Sequence, residues 1–369
     1  MVNVLVTGGL GFIGSHLADM LVARGHDVRV LDNMTYQVHQ GHFPRYANPD
    51  VEYIIGDVRK RFTVERALEG VEVIFHEAAA VGVGQSMYQV HHYTEVNVAG
   101  TAMILDVLVN GEYPIKKMIV AASNTIYGEG LYHCDSCGDV SPPIRSKEQL
   151  ASKQWNLACP SCAKSVKPIA TPETKRLDST NVYSLNKKYQ EEMCLAIGET
   201  YGIPVTSLRY FNVYGPRQSL SNPYTGVAAI FMSRIKNGNP PYIYEDGEQT
   251  RDFVHVDDVA GVNCFVMDNR ATDYQAINVG TSNPVTIKRL AEELIEGLGA
   301  SIKPVISNIG RPGDIRHCHA DISKLENLGY KHHHPTLDFS SLLAWGENIE
   351  AEDNFDQAKQ EFDEKLIDR

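Results

Sequence analysis

The segment Thr7-Gly8-Gly9-Leu10-Gly11-Phe12-Ile13-Gly14 spaces its glycines as Gly-x-x-Gly-x-x-Gly between an apolar, β-rich run and a stretch of helical periodicity. Residues without Cβ atoms let the backbone turn tightly and approach a pyrophosphate, which then sits at the helix N-terminus. A glycine triplet alone is weak evidence; here it stands in the strand–turn–helix context that the chemistry requires. Asp32, followed by Asn33, ends the next β-rich run, where a carboxylate hydrogen-bonds an adenosine ribose. The same charge repels a 2′-phosphate, so NAD is expected rather than NADP. Asp57 and Val58 follow the third such run and could flank the adenine, although a plain strand-end turn explains them nearly as well.

A second group offers proton transfer. Tyr183 and Lys187 are four residues apart on an expected helix and therefore share a face. A phenol with its ordinary pKa near 10 is a poor base at neutral pH. A neighbouring ammonium and a positive nicotinamide ring favour the phenolate. The same spacing occurs on solvated helix faces. Ser123 strengthens the case, because it follows the fifth β-rich run, and strand ends on that edge of such a sheet face the ligand crevice.

A third group binds metal. Cys134/Cys137 and Cys159/Cys162 are two Cys-x-x-Cys pairs separated by 21 residues. That is zinc-ribbon spacing, and four thiolates close a tetrahedral site. A structural zinc is expected, with a redox dithiol as the alternative. No ligand position remains open for a catalytic metal. The run His332-His333-His334 is not expected to form a site, since consecutive side chains diverge and Pro335 marks a loop end.

The elements that position these groups alternate. Strands are expected at Val2–Thr7, Asp27–Leu31, Val51–Ile55, Val71–Phe75, Lys117–Ala121 and Val205–Tyr210, and helices at Phe12–Ala23, Thr94–Val109, Asn181–Tyr201 and Thr286–Leu298. Strands separated by helices imply a parallel, doubly wound α/β sheet. From Leu131 to Pro168 periodicity fails and the chain reads as an insertion, beside the substrate pocket or forming its lid. The expected organisation is a Rossmann-like dinucleotide domain over residues 1–205 with the four-cysteine insertion at 131–168. A smaller α/β substrate domain spans mainly 206–345, with some segments returning to the sheet, and an acidic surface helix or tail spans 346–369.

Of the 369 residues, 43% are hydrophobic, enough for a large core. The net charge of −12 argues against nucleic acid as a partner. No apolar run reaches the length of a membrane span, and no leader pattern is evident at Met1 to Val6. A cytoplasmic location without membrane contact is therefore expected.

Beyond these groups, the blocks Gly56-Asp57-Val58, His76-Glu77-Ala78-Ala79, Asn97-Val98-Ala99-Gly100-Thr101, Ser123–Gly128, Arg209–Gly215 and Arg251–Asp258 complete a resemblance. The chain resembles the extended short-chain dehydrogenase/reductases, in their nucleotide-sugar epimerase/dehydratase branch. The resemblance covers nearly everything but the insertion and the tail. It implies Tyr183 as general base and acid, Lys187 on the nicotinamide ribose, and Ser123, helped by Thr125, on the substrate oxygen. Gly8, Gly11, Phe12, Ile13, Gly14, Asp32, Asn33, Asp57, Val58, Ala78 and Ala79 would hold the cofactor. Asn212, Arg251 and Arg311 would hold the nucleotide diphosphate of the substrate, and Asn97 would brace the loop after the fourth strand. A homodimer is the implied assembly. Glu77 departs from the pattern, which has an apolar residue there.

The reaction follows from two further positions. Dehydratases of this branch carry Asp-Glu directly after the Ser/Thr, and the related decarboxylases keep the Glu. Here Asn124 and Thr125 stand instead, and neither can act as a carboxylate acid or base. Simple redox at C4 of the sugar remains, and 4-epimerisation is its simplest cycle. With its cysteine insertion the chain is similar to dTDP-L-rhamnose 4-epimerases. The alternatives are a UDP-glucose or UDP-N-acetylglucosamine 4-epimerase, a 4-ketoreductase, and a regulatory NAD-binding module without catalysis.

Overall fold

A computed structural model describes residues 1–367. Asp368 and Arg369, the end of the expected C-terminal tail, lie outside the described residues.

Seven strands form one parallel sheet: β1 (Asn3–Thr7), β2 (Asp27–Asp32), β3 (Glu52–Ile55), β4 (Val73–His76), β5 (Lys117–Ser123), β6 (Val205–Tyr210) and β7 (Gln275–Val279). Their order is β7-β6-β5-β4-β1-β2-β3. The chain winds outward from β1 to β3, then returns to β4 on the other flank of β1. Strand order thus reverses beside β1, where a ligand crevice opens at the carboxyl ends. These strands read as apolar runs because both faces are covered. Val4, Val6, Ile119 and Ala121 pack with Leu17, Leu21 and Val259 on one side. Leu5, Ile74 and Val120 pack with Ile104, Leu108 and Cys194 on the other. The two-residue period of the pleat makes this division.

The expected Thr94–Val109 helix is three pieces: Val90–Thr94, a π-turn Glu95–Ala99, and an α-helix Gly100–Asn110. The wide turn brings Asn97 to the loop after β4. Its Oδ1 accepts from the Ala80 N–H at 2.8 Å, and its Nδ2 donates to the Ala80 carbonyl at 3.0 Å. Helical periodicity does not register such a turn, since the apolar face continues across it.

The helix carrying the Tyr-Lys pair spans Val182–Tyr201. Asn181 caps it by accepting from the Ser184 N–H at 2.9 Å, while the Asn181 N–H donates to Ser184 Oγ at 3.1 Å. Gly202, at φ 71°, ends it in the left-handed region.

The insertion is more ordered than its sequence suggests. Leu131–Cys134 is the middle strand of a three-stranded antiparallel sheet, flanked by Gly138–Val140 and Lys167–Ile169, with a short helix at Lys147–Ala151. Strands of three or four residues are too short for a period to emerge. Buried Glu245 clamps the insertion to the rest of the chain: Arg145 Nη1 and Arg316 Nη1 each lie 2.8 Å from its carboxylate.

A small mixed sheet of Asn212–Tyr214, Thr250–His255, Pro284–Thr286 and His317–Cys318 lies beyond the main one. Its core gathers Tyr214, Phe231, Met232, Leu290, Leu294 and Leu342. The amphipathic helix runs Ile287–Gly297 with Thr286 as its cap. The acidic tail is not a free surface helix over its described part. Phe355–Phe362 packs inward through buried Ala358, Arg234 Nη1 meets Asp356 at 3.1 Å, and Tyr224 OH donates to Glu361 at 3.0 Å. Its partners are more than a hundred residues away, out of reach of a local reading. Among the described residues no helix is long and apolar enough to cross a membrane.

Replacing Asn181 with Ala removes the side-chain half of the helix cap. The expected loss is about 1 kcal/mol of stability, read from chemical denaturation.

Candidate active site

The first turn of the main sheet is built by close backbone contact. Gly8 has φ 71°, and a Cβ there would lie 2.8 Å from the Ala78 backbone. A Cβ on Gly14 would lie 2.4 Å from the Gly8 carbonyl oxygen. Larger residues would push the loop off the strand ends, so this turn needs glycine at both places. Asp32 Oδ2 accepts from the Leu10 N–H at 3.1 Å and Oδ1 from the Met34 N–H at 2.9 Å. Its carboxylate therefore ties the glycine loop to the end of β2 and still faces the crevice.

That crevice is a cavity of about 460 Å³, within the usual size range of ligand sites. Its wall includes Gly8, Gly11, Phe12, Ile13, Gly14, Asp32, Asn33, Val58, Ala78, Ala79, Ser123, Thr125, Tyr183, Lys187 and Asn212. Residues chosen from segments two hundred positions apart thus meet on one surface. The insertion contributes no residue to this wall among those described.

Three expected residues lie elsewhere. The Asp57 carboxylate is taken by its own neighbour: Arg59 Nη2 lies 2.7 Å away, and Asn33 Nδ2 donates at 3.5 Å. Arg251 spends its guanidinium on the carbonyls of Thr250 at 2.8 Å, Ile315 at 2.7 Å and Arg316 at 3.2 Å. Arg311 pairs with Asp314 at 2.8 Å and stacks over Tyr244, 4.1 Å from the ring centre. Conversely, the cavity wall includes Arg217, Gln85 and Asn222, which the sequence reading did not single out. Arg217 is held by Asp19 at 2.7 Å, and Gln37 Nε2 bridges Gln85 and Asn222 at 3.3 and 3.1 Å. Arg217 and Asn222 lie within the stretches Arg209–Gln218 and Ser221–Gly226 that carry the finer resemblance, a signal that could have flagged them; Gln85 carries none.

The proton-transfer group sits at the ends of β5 and its packed helix. Ser123 Oγ accepts from Thr125 Oγ1 at 3.0 Å. Burial pushes the Tyr183 phenol up to about 12, with a hydrogen bond to Ser123 opposing. Burial therefore keeps Tyr183 protonated at neutral pH, and a cationic neighbour must lower it before it can serve as a base. Lys187 Nζ donates to the Ala121 carbonyl and to Gln190 Oε1, both at 2.9 Å. Burial pulls the Lys187 ammonium down to about 8, opposed by the charge of Glu77. It stays largely protonated at neutral pH.

The four cysteines of the insertion converge as their spacing suggests. Their sulfur atoms all lie within 4.8 Å of one another, and Cys134 Sγ is 3.6 Å from Cys162 Sγ. Tetrahedral Zn–S bonds require sulfur separations of about 3.8 Å, so the donor set fits that ion. A second cluster joins His255, Asp257 and His334. Of the three consecutive histidines His334 alone enters it, as divergent side chains require. His255 there is already engaged through both ring nitrogens, with the Asp257 N–H and Ser341 Oγ.

A parallel sheet in this strand order, with a glycine turn and a Ser-Tyr-Lys group at one carboxyl edge, defines a dinucleotide-dependent enzyme fold of the doubly wound class. The chain belongs to the NAD dependent epimerase/dehydratase family, whose model matches residues 4–154 and 158–280. It is 32% identical over 338 residues to a dTDP-L-rhamnose 4-epimerase of Burkholderia thailandensis, covering 89% of this chain and 90% of that one. The fold superimposes on a UDP-glucose 4-epimerase of Thermotoga maritima, solved with UDP-glucose, with a TM-score of 0.74, 27% identity and 97% and 99% of the two chains covered. A Thermus thermophilus UDP-glucose 4-epimerase in complex with NAD matches with a TM-score of 0.73, 28% identity and coverage of 94% and 100%.

Two outcomes are expected. Gly14→Ala should abolish NAD binding in a calorimetric titration while leaving a folded protein. The unmodified protein should prefer NAD over NADP by more than about tenfold, since Asp32 repels a 2′-phosphate; equal affinities would overturn that role.

Proposed function

We propose that the chain is an NAD-dependent nucleotide-sugar 4-epimerase, acting through a transient 4-keto sugar on a dTDP- or UDP-hexose, with dTDP-L-rhamnose the first substrate to test. The observation that carries this reading is the meeting of Ser123, Tyr183 and Lys187 on one cavity wall beside Asn124 and Thr125, which offer no carboxylate for elimination. NAD, when bound, supplies the acceptor and donor of the C4 hydrogen. The chain's own work is to bind, orient and move one proton. Ser123 and Thr125 hold the C4 oxygen, and Tyr183 takes its proton as the carbonyl forms. Lys187 lowers the phenol by its charge and holds the cofactor ribose. After the flat sugar turns over in the cavity so that C4 presents its opposite face, Tyr183 returns the proton to the C4 oxygen. The glycine turn, Phe12, Ile13, Asp32, Asn33, Val58, Ala78 and Ala79 hold the dinucleotide. Asn212 reaches the diphosphate from the cavity wall. Arg251 and Arg311 join it only after giving up their present partners.

UDP-glucose or UDP-N-acetylglucosamine as substrate is a second reading, favoured by the UDP-glucose 4-epimerases among the solved structures of like fold. We further propose a homodimer acting in the cytoplasm, and one structural zinc held by Cys134, Cys137, Cys159 and Cys162. This zinc would brace the insertion, away from the chemistry.

Tyr183→Phe keeps the ring and loses the phenol. It should bind NAD and nucleotide sugar normally and lose turnover by about a hundredfold or more; near-native turnover would exclude Tyr183 as the base. In heavy water the product should be the C4 epimer without deuterium at C5, and a C4-deuterated substrate should keep its label. Label at C5 would reveal elimination chemistry, and loss of the C4 label a ketoreductase that exchanges its cofactor. Metal analysis should find about one zinc per chain, and Cys134→Ser should lower the melting temperature. Four freely reactive thiols and no metal would refute the zinc site.

A further inference from the structure

Glu77 follows β4 directly and lines the cavity where the sequence pattern calls for an apolar residue. Its Oε1 accepts from Tyr210 OH at 2.7 Å, and that phenol oxygen in turn accepts from Asn263 Nδ2 at 2.7 Å. Glu77 therefore reaches across the end of β5 to β6. Lys187, whose ammonium is bound to Ala121 of β5, lies close enough that each group shifts the other's titration. A carboxylate in this setting is costly unless a charge needs it.

We propose that Glu77 is the counter-charge at the nicotinamide end of the cavity, favouring the oxidised over the reduced cofactor so that the hydride taken from the sugar is driven back to it. The inference rests on the NAD reading above. The oxidised ring carries a positive charge and the reduced ring none. Lys187 alone, buried at the same place, would therefore favour the reduced form. A carboxylate beside it restores the balance while Lys187 stays charged. The hydride and proton balance of the cycle is unaltered: C4 gives up a hydride and its hydroxyl a proton, the keto sugar turns, and both return. Glu77 is a positioning residue that acts through charge.

The sign with pH follows. Burial pushes the Glu77 carboxyl up to about 7, with the Tyr210 hydrogen bond and the Lys187 charge opposing. Oxidised cofactor should thus gain on reduced cofactor as pH rises through that value. Of the other facing groups only Lys187 titrates nearby, and its loss of charge acts in the same direction. His76 is held neutral, lowered to about 3 by burial and by Lys187. Tyr210 is pushed well above its ordinary value by burial and by Glu77, and Tyr183 up to about 12 by burial. Asn263 is uncharged, and Lys187 responds about one unit higher.

The test compares affinities for NAD and NADH in the unmodified protein and in Glu77→Gln, from about pH 6 to about pH 8, by calorimetry. Glutamine keeps an acceptor for Tyr210 and removes the charge. The ratio of NADH to NAD dissociation constants should fall by about tenfold in the variant near pH 7.5 and lose its rise around neutrality. Mixed with a nucleotide hexose, the variant should also accumulate the near-ultraviolet absorbance of reduced nicotinamide. An unchanged ratio in a variant that binds both cofactors would overturn the role of Glu77. Failure of the unmodified protein to bind either would overturn the NAD reading itself. Should Glu77→Gln not fold, Tyr210→Phe removes the donor that stabilises the carboxylate and must move the neutral-pH rise upward. An unmoved rise, or none in the unmodified protein, would equally sink the proposal.

Discussion

Lys187 is 3% exposed and bonded through its ammonium to a carbonyl within strand β5. A buried charge left without partners would cost several kcal/mol, so the helix Val182–Tyr201 is constrained to the placement that supplies them: Ala121, Gln190 and the opposing charge of Glu77. Tyr183 lies one turn before this anchor on the helix, and Ser123 two residues beyond it on the strand. Holding Lys187 therefore holds the phenol and the hydroxyl on one wall. One turn further, Glu191 repeats the constraint on β6. It meets Arg209 at 2.6 and 3.0 Å and accepts from Ser207 Oγ at 2.8 Å. The charge on Arg209 is thus neutralised inside the protein and fastens helix to sheet instead of reaching a ligand.

The rest of the molecule extends this wall into a cavity. The strand order opens the crevice beside β1, and the glycine turn lets a dinucleotide approach its backbone. β7 returns the chain to the sheet after the small mixed sheet has begun, so the two parts cannot drift apart without breaking strand pairing. Buried Asp252 holds the exit from β7, accepting from the backbone N–H groups of Thr281 at 2.8 Å, Ser282 at 3.0 Å and Ala320 at 2.9 Å. The cysteine insertion leans on the same side through Glu245 and its two arginines. It contributes rigidity and no surface to the cavity. The helix Phe355–Phe362 closes over the same region, where Phe362 lies beneath the Arg311 guanidinium, 5.7 Å from ring centre to carbon.

The sequence by itself determined the parts whose chemistry is local. The alternation of strands and helices, the glycine turn with Asp32, the Tyr183–Lys187 pair and the two cysteine knuckles all depend on spacings of a few residues, which a helix, a turn or a metal imposes wherever they occur. The β-rich runs were found within a residue or two of their observed ends for the same reason. Tertiary structure alone decided where long side chains point, because their partners are remote in the chain. The carbonyls of Ile315 and Arg316 claim Arg251, and Tyr244 claims Arg311, while Arg217 turns to the cavity from an irregular loop. Glu77 finds Tyr210 at a separation of 133 residues. No periodicity records such a pairing, since a carboxylate settles on whichever donor the folded chain brings within hydrogen-bonding distance.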